Sequence, residues 1–141
     1  RIGAARRDIT GPADGCGMMG YAVPSQTTAG LHTRLKARAF VIEESTPSGG
    51  GGARVAVVVA DTCMVFEAVR GAVLRRLRAE GGGRWGNDNV MLCATHTHSG
   101  PGGFSGAHAL YNVTSLGPSR QNFERVVGGI VDAILEAEAA A

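Results

Sequence analysis

Two hydrophobic periods run along this chain, one near two residues and one near 3.6, and they divide it into predicted strands and helices. Ile2 to Thr10 reads as a short strand, broken at Gly11-Pro12. Residues 11–30 mix Gly, Pro, Ser and Thr around Met18-Met19-Gly20-Tyr21 and predict a long ordered loop or an active-site lip. Arg34 to Glu43 alternates basic and apolar residues and then runs Ala39-Phe40-Val41-Ile42, a strand pattern. Ser45 to Ala53, with the glycine run Gly49–Gly52, reads as a flexible hairpin-type loop. No helix start follows that run, so it is a linker and not a phosphate cradle. Arg54 to Ala60 is a β-branched run of the kind buried on both faces of a sheet.

The period then changes. Met64, Val65, Ala68, Val69, Ala72, Val73 and Leu77 make one apolar stripe, which predicts a helix over 63–79 that ends at Gly81-Gly82-Gly83. Asn89 to Ala94 predicts a further buried strand, in which Cys93 is a small buried hydrophobe. Residues 99–118 read as another Gly-rich loop. Ser119 is placed to N-cap a last helix whose positions Phe123, Val126, Val127, Ile130, Val131, Ile134 and Leu135 face one side. Strand, helix and strand in this order predict a right-handed βαβ unit with parallel strands. The fold class expected is therefore α/β, a mixed sheet containing that unit, with helices on its faces. No internal domain boundary is visible in residues 1–141. The final helix runs into Ala-Glu-Ala-Glu-Ala-Ala-Ala without a stop signal, which suggests an excerpt of a longer chain.

Composition narrows the function classes only a little. Hydrophobic content of 44% and charged content of 18% describe a globular chain that can bury a core. A net charge of +2, with no basic cluster interleaved with aromatics, is too small to argue for nucleic acid or an anionic membrane as a partner, and no nucleic acid is expected. No apolar run reaches the length of a membrane span. The three cysteines, Cys16, Cys63 and Cys93, form no CxxC and do not read as a disulfide framework.

The chemistry concentrates in Thr95-His96-Thr97-His98-Ser99-Gly100-Pro101. If the preceding strand continues through it, side-chain alternation puts His96 and His98 on one face, their Cα atoms about 6.6 Å apart. Two imidazoles at a strand end suit a metal, a proton-transfer pair, or one of each. In the predicted βαβ unit, Asp61 follows the first strand and His96 the second, so both belong to the crevice beyond the carboxyl ends of the strands. A strand-end Asp61 also suits the cap of the next helix. Thr95, Thr97, Ser99 and Gly100 are candidate lining residues: the hydroxyls can orient imidazoles, and glycine lets a ligand come close. A catalytic zinc needs three protein ligands, and His108, His32 and Asp61 are the few other donors at hand. Asn112-Val113-Thr114 is a glycosylation sequon, a triplet that arises often by chance.

Taken in order, Met19-Gly20-Tyr21-Ala22, Gly30-Leu31-His32-Thr33-Arg34-Leu35, Ala37-Arg38-Ala39-Phe40-Val41, Asp61-Thr62-Cys63-Met64-Val65, Thr95 to Gly103 and Thr114-Ser115-Leu116-Gly117 resemble the neutral ceramidases. The resemblance runs from about Ile2 to the last helix. It implies zinc-dependent hydrolysis of the N-acyl bond of ceramide to sphingosine and a fatty acid. Under it, His96 matches a zinc ligand, and His98 matches a catalytic histidine beside the metal that binds or polarises the substrate amide. The backbone carbonyl of His32 matches a ligand of a structural calcium or magnesium. The resemblance also implies a secreted or membrane-associated protein, with ceramide and a membrane surface as partners.

Other parts of the family's site, a second histidine, a glutamate, a tyrosine and a serine, lie downstream of the region matched. The chain is thus expected to be the N-terminal portion of an incomplete catalytic domain. Its partners then include the remainder of that domain and a C-terminal domain, and the fragment is expected to bind zinc weakly and to be inactive alone. Two other readings remain: a different HxH metal hydrolase of amidohydrolase type, and a non-catalytic module that binds lipid or a partner.

Overall fold

A computed structural model describes residues 1–21, 23–45 and 52–141. The glycine-rich linker predicted at Gly49–Gly52 lies outside the described residues except for Gly52. The main sheet has the order β1 (Ile2–Asp8), β4 (Lys36–Glu43), β5 (Arg54–Ala60), β6 (Val90–Ala94). A second, two-stranded sheet pairs β2 (Asp14–Gly17) with β3 (Thr27–Ala29), inside the region expected to be a loop. The helices are α1 (Glu67–Glu80), α2 (Ala109–Thr114) and α3 (Arg120–Ala139). β1 and β5 pair antiparallel with β4, while β6 pairs parallel with β5, so the sheet is mixed. The parallel pair is joined through α1, as a βαβ unit requires.

Packing follows from small residues on one face of the sheet. Ala37, Ala39 and Val41 of β4, with Ala56, Val58 and Ala60 of β5, are all buried there. α3 lays Val126, Val127, Ile130, Val131 and Ile134 against them, each at most 3% exposed. The approach is close enough that a Cβ on Gly3 would stand 1.9 Å from the Ala137 carbonyl oxygen. A side chain at Gly3 would hold the helix off the sheet at that point. Ser119 caps α3 as predicted, its hydroxyl accepting from the Asn122 amide N–H at 3.2 Å.

The opposite face of the sheet carries Ile2, Phe40, Ile42 and Met91, between 45% and 68% exposed. Within residues 1–141, β5 is covered on one face: Ala56, Val58 and Ala60 are buried, while Val55, Val57 and Val59 alternate with them at intermediate burial. Cys93 is likewise exposed and not a core residue. It sits on β6 opposite Val59, on the face that no helix among the described residues covers. A hydrophobic run records the residue type that suits a strand, not whether anything lies on both sides of it.

The 99–118 loop contains α2. The sequon asparagine holds this loop together: Asn112 Oδ1 accepts from the Ser105 hydroxyl at 2.7 Å, and Nδ2 donates to the Gly106 carbonyl at 2.8 Å.

Candidate metal and catalytic site

β5 and β6 end together, Ala60 opposite Ala94, with the Thr95 N–H donating to the Ala60 carbonyl at 2.9 Å. The chain leaves β6 at that point. His96 has φ +63°, a left-handed conformation that costs a non-glycine residue on the order of 1 kcal/mol. The two histidines are therefore not brought together by strand alternation, as the spacing suggested. They lie beyond β6, and a left-handed turn brings their rings to a centroid distance of 4.8 Å, edge to face at 88°. Strained backbone of this kind is concentrated where geometry serves function.

Each ring is held by a backbone carbonyl. His96 Nδ1 lies 2.6 Å from the Cys63 oxygen and His98 Nδ1 lies 2.9 Å from the Met19 oxygen. A carbonyl can only accept, so in both rings Nδ1 carries the hydrogen. In the neutral rings Nε2 is then the nitrogen with the free lone pair, the arrangement found when a histidine ligates a metal. Among the described hydrogen bonds, the hydroxyls of Thr95, Thr97 and Ser99 make none directly to either imidazole. Thr97 Oγ1 accepts from the Ser99 N–H at 3.2 Å, Ser99 Oγ shares a hydrogen bond of 3.2 Å with Tyr21, and the Thr95 side chain is exposed. The carbonyls have already taken the ring hydrogens.

Cys63 joins the two histidines. Ligand atoms from Cys63, His96 and His98 all lie within 4.8 Å of one another. Burial pushes the Cys63 thiol above its ordinary pKa, so it is a thiol and not a thiolate at neutral pH. The helix predicted from residue 63 begins later because of this site. The Cys63 carbonyl serves His96, and the first turn of α1 opens only with Arg70 N–H to the Phe66 carbonyl. Phe66 is the N-cap, so Asp61 does not cap α1. The Asp61 carboxylate accepts instead from the Lys36 N–H and the Arg38 guanidinium, each at 2.9 Å, and so ties β4 to the end of β5.

The remaining candidates lie apart from the pair. His108 stacks on Tyr111 at 4.7 Å beside α2, exposed. His32 is exposed and lines a groove of about 490 Å³ whose wall also includes Tyr21, Ser99, Gly100 and Pro101. That groove reaches the histidine turn, and its volume falls in the range of small-molecule sites. Gly100 packs against Leu35, whose Cδ1 would be 2.8 Å from an added Cβ.

Several residues that shape the site have no motif of their own. Asn122 of α3, 1% exposed, donates from Nδ2 to the carbonyls of Pro101 and Gly102 at 2.7 and 2.8 Å and anchors the end of the histidine turn. Met19 and Cys63 act through backbone oxygens, which leave no trace in residue type. The signal available for Asn122 was a polar residue on the apolar side of an amphipathic helix.

The profile of the neutral/alkaline non-lysosomal ceramidases, N-terminal region, matches residues 1–141. The neutral ceramidase of Pseudomonas aeruginosa is 50% identical over 139 residues, covering 99% of this chain and 20% of the relative. Neutral ceramidase A of Dictyostelium discoideum is 46% identical, covering 97% of this chain and 18% of the relative. Among solved structures, a ceramidase complexed with C2 superposes with a TM-score of 0.92 at 49% identity. The neutral ceramidase of Pseudomonas aeruginosa superposes at 0.91, again covering 99% of this chain and 21% of that one. The chain spans about a fifth of the length of these relatives. With the fold, the histidine turn and the ordered motifs all in agreement, the chain belongs to the neutral/alkaline non-lysosomal ceramidase family, to its N-terminal region.

Proposed function

We propose that residues 1–141 form the N-terminal portion of a ceramidase catalytic domain and supply part of a zinc site that hydrolyses the N-acyl amide of ceramide to sphingosine and a fatty acid. The observation that carries this reading is the pair of imidazoles with Nδ1–H committed to carbonyls and Nε2 left free. Nitrogen donors of this kind suit zinc, and Cys63 beside them offers a third donor once the metal displaces its thiol proton. Bound zinc supplies Lewis-acid chemistry, polarising an amide carbonyl and strengthening water as an acid.

His96 is the residue that holds the metal. Its left-handed backbone and its short bond to Cys63 keep the ring in one orientation, so that little reorganisation is needed on binding. His98 stands beside it and contacts the substrate amide. The groove that runs from Tyr21 and Ser99 to His32 is the route by which an elongated lipid reaches the pair. The carbonyl of His32, a residue lining that groove, is assigned to a structural calcium or magnesium. With His98 given to the substrate, His96 and the Cys63 thiol leave a catalytic zinc short of its usual three protein ligands, so the 141 residues alone bind zinc weakly and have no amidase activity. The rest of the catalytic domain and a C-terminal domain complete the enzyme, which works secreted or at a membrane surface. Among the described residues, no helix is long and apolar enough to cross a membrane.

The test is a chimera in which residues 1–141 replace the matching fifth of the Pseudomonas aeruginosa relative. It should bind about one zinc and cleave ceramide, and His96→Ala should remove both properties. A folded chimera that keeps zinc and activity after His96→Ala, or amidase activity in the 141-residue chain alone, overturns the assignment.

A further inference from the structure

We infer that Met19, Gly20 and Tyr21 form a clasp that fixes His98 as its Nδ1–H tautomer, so that this histidine meets the substrate as a hydrogen-bond acceptor through Nε2. The inference rests on the reading of His98 as the working histidine of the site, and it assigns that histidine a direction of hydrogen bonding.

Three contacts build the clasp. The Met19 carbonyl lies 2.9 Å from His98 Nδ1, on a residue only 3% exposed. The carbonyl can only accept, and a buried carbonyl that lost this donor would be left unpaired. Gly20 makes the approach feasible. Its φ is +105°, and a Cβ there would stand 1.6 Å from His98 Nδ1 and 1.9 Å from Cε1. No side chain fits between the clasp and the ring. Tyr21 then closes over the outer side: its hydroxyl bonds Ser99 Oγ at 3.2 Å, and its ring stands 5.6 Å from that of His98. Ser99 is the next residue after His98, so both ends of the short turn are tied to the same segment.

The chemical consequence is one of polarity. A neutral imidazole has one donor and one acceptor nitrogen. With the hydrogen spent on Met19, neutral His98 takes a hydrogen from a hydroxyl, a water or an N–H and has none to lend to a carbonyl oxygen. Gly20 is on this account a positioning residue, acting only through His98.

The test reads the ring nitrogens directly, by two-bond 15N–1H correlation spectra of the labelled 141-residue chain in mildly alkaline solution. In the parent, His98 should show a pyrrole-like Nδ1 and a pyridine-like Nε2, while exposed His32 shows the Nε2–H form that free imidazoles favour. In Gly20→Ala the Nδ1–H signature should be lost at His98 and kept at His96. Gly15→Ala, also at positive φ but with open space around the new Cβ, should leave His98 unchanged. Should Gly20→Ala fail to fold, the parent spectrum and Tyr21→Phe decide, the latter moving His98 part-way toward Nε2–H. An Nε2–H form at His98 in the parent, or a folded Gly20→Ala that keeps Nδ1–H, overturns the clasp. Either result leaves the zinc and ceramide assignments standing, because the chimera reads those. A chimera without zinc beside an intact tautomer signature removes the functional reading alone.

Discussion

Beneath the sheet, α3 is held by volume: Val126, Val127, Ile130, Val131 and Ile134 fill the space over an alanine-rich face. At the carboxyl edge of the same sheet, His96 and His98 are held by two backbone oxygens, with Gly20 giving His98 room and Asn122 anchoring the turn that follows. The first region spreads its stabilisation over many small contacts and tolerates conservative exchange. The second depends on hydrogen bonds that are worth little net when made and are costly when one partner is removed. A fold can therefore survive changes that end its chemistry, and lose stability through changes that leave the chemistry's geometry alone.

Four substitutions and a titration separate the two regions, from the largest effect on stability to the smallest. Ile134→Ala removes a fully buried side chain from the α3 layer and should cost about 2–5 kcal/mol in urea unfolding. In what remains folded, the His96 and His98 tautomers should be unchanged. Asn122→Ala bridges the regions, since Asn122 belongs to α3 yet donates to Pro101 and Gly102. It should cost about 1–3 kcal/mol by stranding two buried carbonyls, and hydrogen exchange should quicken in 99–103 but not in β4.

Ser119→Ala removes the cap of α3 and should cost about 1 kcal/mol, with no change at the histidines. Acid tests the same end of the sheet. Although burial by itself raises the Asp8 pKa, hydrogen bonds from Lys36 and Thr10 and the Lys36 charge hold it well below the carboxylate range. With the folded pKa lowered, this stabilisation is present above the unfolded value of about 3.9 and is lost as pH falls toward the folded one. The urea midpoints of the parent and Asp8→Asn should therefore differ near neutrality and converge below about pH 4. Arg34 and Arg125, more than half exposed, add little to this difference, which rests on Lys36 and Thr10. Cys93→Ser, on the uncovered face, should change stability by no more than about 0.5 kcal/mol, whereas a buried cysteine would cost more.

Much of the fold was legible in residue order. The strands at 2–8, 36–43, 54–60 and 90–94 follow the predicted runs closely, and so do the last helix with its Ser119 cap and the crossover that brings residues after β5 and β6 to one edge. These features are local or periodic, so side-chain type alone carries them. The β2–β3 hairpin and α2 were not legible, because neither has a hydrophobic period. Met64 and Val65 belong to the predicted stripe, yet helix formation waits until Glu67 because a tertiary contact claims the Cys63 carbonyl.

The sequence by itself determined which residue types are present and where the chain alternates: a mixed α/β sheet, a histidine pair after a strand, and a set of ordered motifs that names the family. Tertiary structure alone decided which nitrogen of each histidine carries hydrogen, that Asp61 braces β4 instead of capping α1, and that Cys63 stands beside the pair. The physical reason is that backbone carbonyls and positive φ angles set the geometry of the site. Every residue has a carbonyl, so its use is set by what folding brings within about 3 Å of it and not by the side chain written in the sequence.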